Sequence, residues 1–366
     1  MRSRLVSAWL IVLVLLPLGA GCGAQKVEGS LGQALAMFPA DVETFSFTDW
    51  ALLKTSAGFP DLGSASPAEE RRAFWTAVAR KHAPAVSFGR APDSMAATWG
   101  WDNSDLVWAA AAWNEAGLVA YVLKFGRDLA PIQERYIQYG FESSEYQGVI
   151  IYSHKPSFRE DWYGDADSAV VNTAVLPEDR VLVMGGELAN VQAVLDVLQG
   201  RSNSLAGDAN AVAAAGRLEQ MASATIIPVV GSNCPSVSIR AIQRAQVPLP
   251  PETLKRLQAA VAEVEVRRFE SFGLGYRYEG QELLGLVVLH YGRAGDAQAD
   301  LEVRKKLAVE GPMLSSRTAT YGDTFALQDA AAVGSDLLFW MSPKNDQPGR
   351  LFALLTNRDM LFAACP

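Results

Sequence analysis

Two apolar runs separated by a short polar turn constrain the fold of this chain more than any other feature. Residues 106–113 and 117–123 are nearly continuous apolar segments, and Asn114 and Glu115 lie between them. One membrane-spanning helix over both runs would bury the Glu115 carboxylate near the centre of a bilayer, at a large cost in free energy. The Asn-Glu-Ala-Gly sequence is instead typical of a tight turn, so we predict two paired antiparallel strands.

The order of the remaining predicted elements indicates an internal duplication. Each half is predicted to contain a strand, a hairpin, a helix, a second hairpin and a second helix. The hairpin over 106–123 corresponds to one over 266–291, and Phe125-Gly126-Arg127 corresponds to Tyr291-Gly292-Arg293. Repetition of the same element order is the sequence signature of repeated structural units.

These patterns predict an α+β fold of two similar lobes, each an antiparallel, hairpin-rich sheet packed against helices. The composition, 49% hydrophobic and 20% charged residues, is that of a folded globular protein. We expect the first lobe over residues 35–204 and the second over residues 205–366, with a linker near residues 200–210. A cleft or a flat seam would then lie between the two lobes.

The first 25 residues have the pattern of an export signal that leads into a cysteine. Arg2 and Arg4 precede an apolar region from Leu5 to Leu18, and small residues follow up to Cys22. This pattern resembles the lipobox signal peptide of bacterial envelope lipoproteins, many of them from uncharacterised families. The resemblance implies removal of residues 1–21 and attachment of acyl chains such as palmitate to Cys22. Residues 22–34 would form a tether, at the extracytoplasmic face of a cell membrane or outer membrane.

Two other interpretations of this segment remain open. A retained transmembrane anchor needs about 20 apolar residues, whereas the run here ends after about 14. Secretion without lipid is the second alternative. A lipobox is expected to have an aliphatic residue three positions before the cysteine, whereas Gly19 occupies that position here and Leu18 lies four positions before Cys22.

The charge of the chain argues against nucleic acid as a partner. Loss of Arg2 and Arg4 with the signal leaves 30 basic residues against 40 acidic ones, a formal charge of −10, and no Lys/Arg run is present. Binding to nucleic acid or to anionic lipid needs clustered cations. The expected partners are the membrane, through the N-terminal acyl chains, and an envelope protein or glycan.

Two further cysteines, Cys234 and Cys365, are predicted to form a disulfide. An extracytoplasmic compartment permits the bond. Closing a loop of this length contributes about 4–5 kcal/mol in the chain-entropy model. Two separately buried thiols are the alternative.

The sequence contains no recognised catalytic, metal-binding or cofactor-binding motif. The three histidines, His82, His154 and His290, lie far apart and have no ligand spacing. We predict no metal and no cofactor, and favour a non-enzymatic binding or scaffolding protein of the cell envelope. The alternatives are an extracytoplasmic hydrolase or carbohydrate-acting enzyme with an acidic loop, and a solute-binding protein of a transporter.

The segment 161–167 is one candidate binding site, because it has no counterpart in the second half and loops carry sites more often than regular elements do. The favoured interpretation is a solvated acidic turn, and a calcium loop is a further alternative, although Ala169, Val170 and Leu176 do not fit the EF-hand pattern. The candidate residues of this loop are Asp161, Trp162, Tyr163, Asp165 and Asp167.

A second candidate site is an aromatic face formed by Trp99 and Trp101, which lie on one side of a predicted extended segment. Exposed indoles could stack on a sugar ring or a peptide. We favour the alternative that these side chains belong to the core.

Replacing Cys22 with serine is expected to release the protein from the membrane fraction, because acyl chains on this residue are the predicted anchor. Fractionation of expressing cells and immunoblotting measure the change, with Gly23→Ala as a control that keeps the cysteine. Unchanged fractionation of the Cys22→Ser variant would contradict acylation.

Overall fold

The structure is a computed structural model that describes residues 27–87, 92–154, 171–231, 233–279, 282–344 and 347–366. Within these ranges the chain forms one twelve-stranded sheet in which every paired strand is antiparallel, with helices on both faces. The predicted α+β class and the antiparallel, hairpin-rich sheet are confirmed. No described helix has both the length and the apolar character to cross a bilayer.

Each half of the chain supplies one side of the sheet. The strands of the first half are β1 Thr44–Asp49, β2 Leu106–Asn114, β3 Gly117–Phe125, β4 Glu142–Tyr146, β5 Val149–Ser153, β6 Asn172–Leu176 and β7 Val181–Gly185. Those of the second half are β8 Ser223–Ile227, β9 Ser271–Glu279, β10 Glu282–His290, β11 Phe325–Val333 and β12 Asp336–Pro343.

The helices fall between these strands along the chain. In the first half they are α1 Gly29–Leu35, α2 Trp50–Ala57, α3 Ala68–Lys81, α4 Pro92–Trp99, α5 Ala130–Gln138 and α6 Leu188–Leu198. In the second half they are α7 Ala209–Leu218, α8 Ile239–Gln243, α9 Pro251–Val261, α10 Ala294–Glu310, α11 Tyr321–Thr324 and α12 Arg350–Thr356.

An approximate twofold relation about the central β1·β8 pair connects the two halves. Outward from this pair the strand order is β1-β2-β3-β7-β6 on one side and β8-β9-β10-β12-β11 on the other. The register agrees, because Ser46 lies opposite Thr225 and Thr48 opposite Ser223, symmetrically around the Phe47–Ala224 pair. The two halves therefore repeat one order of elements, and their strands join into one continuous sheet.

The hairpin predicted from the two apolar runs is present as β2 and β3. At its turn the Asn114 side chain accepts a hydrogen bond from the backbone N–H of Ala116 (3.0 Å). Gly117 follows with a φ of +118°, a conformation that side chains with a Cβ rarely adopt. The second half has a hairpin of the same strand length, β9 and β10.

Alternation along the central strands gives the two faces of the sheet different cores. Phe45 and Phe47 of β1 point to the face covered by α1, α6 and α7, and they belong to a core cluster that spans both halves. Burying each phenylalanine contributes about 1.5–3 kcal/mol. We call this side of the sheet the covered face.

The opposite side, which we call the split face, carries two separate core clusters. One belongs to the first half and includes Trp50, Leu123 and Tyr136. The other includes Leu257 and Phe339 and, apart from Ala83 of the segment after α3, consists of residues of the second half. The polar residues of β1 and β8 lie between these clusters, so the apolar cores of the two halves do not merge on this face.

One helix departs from the twofold relation. After β7, α6 packs on the covered face, where Val191 joins the common core. After β12, α12 packs instead on the split face, where Leu351 contacts β10 at Gly285. A Cβ at position 285 would lie 2.5 Å from Leu351 Cδ1, so glycine allows this close approach.

The structure corrects two predicted boundaries. Residues 22–34 were expected to be a tether, but Val27 and Leu31 are buried and α1 begins at Gly29, so the folded chain starts before residue 35. The segment 200–210, expected to be a linker, also packs against the first half. The backbone N–H of Leu205 donates to the carbonyl of Phe38 (2.8 Å), and the Leu205 side chain is buried.

Two short segments lie at the ends of regular elements. Near the C-terminus, Leu361–Ala363 form a short 3-10 turn. At the start of α3, Pro67 is the N-cap residue and makes no side-chain capping bond.

The predicted disulfide between Cys234 and Cys365 is present, with a Cα–Cα distance of 6.1 Å. Buried Arg304 also holds the C-terminal segment, donating to the carbonyl oxygens of Phe362 and Ala364 (both 3.0 Å). Its charge is balanced by buried Asp300, 3.0 Å away. The C-terminus is therefore fixed by a covalent bond and by a buried ion pair.

In a Cys22→Ser background, the further pair Cys234→Ser and Cys365→Ser is expected to lower the free energy of unfolding by about 2–5 kcal/mol. The reason is that the unfolded chain regains the freedom of a 131-residue loop. Guanidinium denaturation measures this, with the Cys22→Ser protein as the control. Equal unfolding curves, or two reactive thiols in the denatured control, would contradict the disulfide.

Candidate functional site

The candidate site is a cleft on the split face, between the two halves, and we call it the seam cleft. Its floor is the central strand pair, which contributes Thr44, Ser46, Thr225 and Ile227. The hydroxyl groups of Ser46 and Thr225 are hydrogen-bonded to each other at 2.8 Å. This bond satisfies two polar groups that are buried in the middle of the sheet.

A segment that follows α3 crosses the seam and closes one end of the cleft. The backbone N–H of Val86 donates to Thr48 Oγ1 of the first half (2.8 Å). The backbone N–H of Ala83 donates to the hydroxyl of Tyr278 in the second half (3.4 Å). Pro84 and Ala85, between these anchors, line the cleft.

The opposite wall comes from the second half. It consists of the loop Asn233-Cys234-Pro235 and of the α12 side chains Phe352 and Leu355. The disulfide fixes the loop to the C-terminus, and at the rim Asn233 Nδ2 donates to Glu43 Oε2 of the first half (2.9 Å). The helix that departs from the twofold relation is thus the helix that forms this wall.

The cleft has a volume of about 500 Å³, within the range typical of small-molecule sites. Half-buried Trp113, Phe352 and Leu355 make part of its lining apolar. The hydroxyl groups of the floor, Asn233 and Thr356 supply polar groups. Arg358 is the one charged side chain among the described residues that line it.

Arg358 lies in the turn that ends α12. Its φ of +53° is in the left-handed region, at the position after the helix C-cap where glycine is common. Backbone bonds from Arg358 to Leu355 (2.9 Å) and from Asp359 to Leu354 (2.8 Å) close the turn. The carboxylate of Asp359 accepts the backbone N–H groups of Leu314 and Ser315, which fixes the turn against the second half.

His82 anchors the crossing segment. Its ring packs edge-to-face against Tyr278, with ring centroids 4.3 Å apart. Burial, together with the neighbouring Lys81 charge, lowers the pKa of His82 to about 4. The folded protein therefore holds this imidazole neutral.

The sequence-predicted candidates do not form this site. Cys22 and the loop with Asp161, Trp162, Tyr163, Asp165 and Asp167 lie outside the described residues. Trp99 and Trp101 are 0% exposed, so they form no exposed aromatic face, and the favoured interpretation that they belong to the core is confirmed. The reason is that Trp99 packs between Tyr136 and Tyr139 and that Trp101 packs against Phe125.

A second polar group resembles part of a catalytic triad. His290 Nδ1 lies 2.7 Å from Asp336 Oδ1, and Arg217 donates to the other carboxylate oxygen (2.7 Å). Burial alone would raise the pKa of Asp336, but the hydrogen bonds from His290 and Arg217 lower it. Ser271 lies opposite His290 in the sheet, yet its hydroxyl donates to the carbonyl of Asn210 (2.9 Å). The Ser271 hydroxyl thus donates its hydrogen bond to a backbone carbonyl and not to the His290 imidazole. This is not the contact by which a base activates a nucleophile, so the polar group connects neighbouring elements of the fold.

A third polar group holds α2 against the start of β2. Lys54 Nζ donates to the carbonyl oxygens of Ser104 (2.6 Å) and Leu62 (3.2 Å), and burial lowers the pKa of Lys54.

Within the described ranges, no group of three or more His, Cys, Asp or Glu side chains is placed to hold a metal ion.

Sequence reasoning missed the residues of the seam cleft. The available signal was the alternation Thr44-Phe-Ser-Phe-Thr48, in which small polar residues fill one face of an otherwise apolar strand. That pattern shows a polar face. The partner strand β8 and the helix α12 come from more than 170 residues away, and only their packing turns the polar face into a cleft.

The sequence matches no known protein family and no curated protein. Among solved structures, the chain is similar to TP0453 in three crystal forms. For form I the TM-score is 0.36 at 9% identity, over 89% of this chain and 97% of that one. For form III the TM-score is 0.39 at 8% identity, over 88% of this chain and 98% of that one. For form IV the TM-score is 0.37 at 9% identity, over 90% of this chain and 100% of that one. At these TM-scores the similarity supports no inference about function.

The His82→Phe variant is expected to lose part of the acid sensitivity of the native protein. In the unfolded chain His82 takes up a proton near pH 6.5, whereas in the folded chain it does so only near pH 4. The contribution of neutral His82 to the free energy of unfolding is therefore fully present above pH 6.5. It decreases by about 2–3 kcal/mol as the pH drops to 4.

Denaturant titrations of both proteins between pH 4 and pH 7.5 measure this loss. Phenylalanine keeps the ring contact with Tyr278 and cannot be protonated, so the two proteins should differ mainly in the slope below pH 6.5. Parallel curves for the two proteins over this range would contradict a neutral, buried His82.

Proposed function

We propose that this protein is a lipid-anchored, extracytoplasmic binding protein whose seam cleft holds a small ligand. The observation that carries the proposal is the cleft itself. It has the volume of a small-molecule site, an apolar wall and a floor of paired hydroxyl groups.

The compartment is supported by two independent features of the chain. The N-terminal segment resembles a lipoprotein signal that leads into Cys22, and the structure contains the Cys234–Cys365 disulfide. Such bonds persist in oxidising, extracytoplasmic environments. A lipid anchor at Cys22 would hold the folded domain next to the membrane, since α1 begins only seven residues later.

A binding role fits the chemistry of the cleft better than hydrolysis does. Its described lining residues include no aspartate, glutamate or histidine, whereas glycoside hydrolysis needs a pair of carboxylates a few ångströms apart. The hydroxyl groups of Ser46 and Thr225 bond to each other, and no base contacts either of them among the described residues. The residues present can bind and orient a ligand.

Filling the cleft is expected to abolish ligand binding. The probe is N-phenyl-1-naphthylamine, a neutral apolar dye, added to the mature chain carrying Cys22→Ser so that no detergent competes. We expect a saturable rise in dye fluorescence with one site per chain. Ala85→Trp should remove this signal because the added indole occupies the cleft.

Ala79→Trp, on the exposed side of α3, is the matched control and should bind the dye like the parent protein. Denaturation midpoints of both variants show that each is folded. Absence of binding to the parent protein, or equal binding to folded Ala85→Trp, would refute the seam cleft as a ligand site.

A further inference from the structure

We propose that the ligand of the seam cleft is a neutral apolar molecule with a hydrogen-bond acceptor, such as a ketone or ester carbonyl, which the Ser46–Thr225 hydroxyl pair binds. This inference rests on the proposed function and adds the chemical class of the ligand. The acceptor is bound at the floor of the cleft, and the apolar body of the ligand lies against the walls.

The hydroxyl pair on the floor has one proton more than it uses. The bond between Ser46 Oγ and Thr225 Oγ1 (2.8 Å) gives each group a partner, but it engages only one of the two hydroxyl protons. Neither hydroxyl makes another hydrogen bond with the residues that the structure describes. Whichever group donates in this bond, the other keeps a proton that a ligand in the cleft can accept.

The burial of this pair makes the second proton a means of selection. Ser46 and Thr225 are each 6% exposed, and both line the cleft. A ligand that fills the cleft without an acceptor would leave the second proton unpaired and shielded from water, which is costly. A ligand with an acceptor avoids this cost, and sites built to hydrogen-bond their ligand discriminate strongly against analogues that lack the bonding group.

The charge of the lining favours a neutral ligand. The floor consists of uncharged residues, namely Thr44, Ser46, Thr225 and Ile227. Arg358, the charged residue on the lining, already has a partner within the protein. A charged group would lose its hydration at the floor without meeting an opposite charge among the described floor residues.

The apolar groups lie at a suitable distance from the hydroxyl pair. Trp113 of β2 lies opposite Thr44, and Thr225 of β8 lies opposite Ser46. Thr44 and Ser46 are two residues apart on one face of β1, which corresponds to about 7 Å along the strand. The half-buried indole of Trp113 is therefore offset from the hydroxyl pair by about the length of a small aromatic ring system. This spacing matches a flat apolar body with an acceptor at one end.

Two naphthalenes that differ by one carbonyl oxygen test the inference. 2-Acetylnaphthalene and 2-ethylnaphthalene have nearly the same shape, and only the first carries a hydrogen-bond acceptor. Displacement of N-phenyl-1-naphthylamine from the mature Cys22→Ser protein measures both affinities. The ketone is expected to bind about tenfold more tightly, although the ethyl compound is the more apolar of the two.

Substitutions in the hydroxyl pair localise the effect. The double variant Ser46→Ala, Thr225→Val removes both hydroxyl groups and nearly keeps the shape of the floor, so its denaturation midpoint should stay close to that of the parent. Its preference for the ketone should be lost. Ser46→Ala alone should keep part of the preference, because the Thr225 hydroxyl still has a proton to donate. Thr76→Val, on the exposed side of α3, is the matched control and should keep the full preference.

The outcomes separate the two proposals. Equal affinities for the two naphthalenes, or tighter binding of the ethyl compound, with Ala85→Trp blocking the dye, would overturn the acceptor and leave the seam cleft as a binding site. A preference that survives in the folded double variant would overturn the role of the hydroxyl pair. Absence of dye binding to the parent protein would refute the proposed function itself.

Discussion

The pairing of β1 with β8 is the interaction on which the rest of this structure depends. These two strands come from different halves of the chain, and their register places the Phe47–Ala224 pair at the centre of the twofold relation. Phe45 and Phe47 of β1 and Ala224 and Ile226 of β8 point to one face, where they join the two halves in a single core. The hydroxyl side chains point to the other face, where Ser46 and Thr225 bond to each other. One strand pair therefore both unites the halves and leaves a polar seam between their separate cores.

Departures from the twofold relation explain why the seam becomes a cleft. A symmetric arrangement would place α12 on the covered face, as α6 is placed in the first half. Instead α12 lies on the split face and brings Phe352, Leu355 and Arg358 to the seam. The segment with Pro84 and Ala85 closes the other side. The disulfide at Cys234 and the buried Arg304–Asp300 pair then fix the C-terminal part of the wall. The walls of the cleft are thus formed where the two repeated halves differ.

Much of the fold could be predicted from the sequence, because the local signals were strong and agreed with one another. Alternating and continuous apolar runs predicted the hairpins β2–β3 and β9–β10. The predictions failed where tertiary contacts decide. Leu205 is buried by contact with Phe38, which no local pattern at 200–210 indicates. For Trp99 and Trp101 the sequence favoured the core but left a surface position open, and packing against Tyr136, Tyr139 and Phe125 confirms the core position.

The sequence by itself determined the α+β class and the repeated order of elements, and it favoured the pairing of Cys234 with Cys365 over two separately buried thiols. Each of these follows from periodicity, turn residues or residue count, which are local or additive properties of the chain. Only the tertiary structure decided that the two halves share one sheet, that α12 lies on the split face, and that Arg358 meets Ser46 and Thr225 at one cleft. These residues are separated by up to about 310 positions. Their meeting depends on the free energy of packing of whole elements, which side-chain periodicity within a segment does not encode.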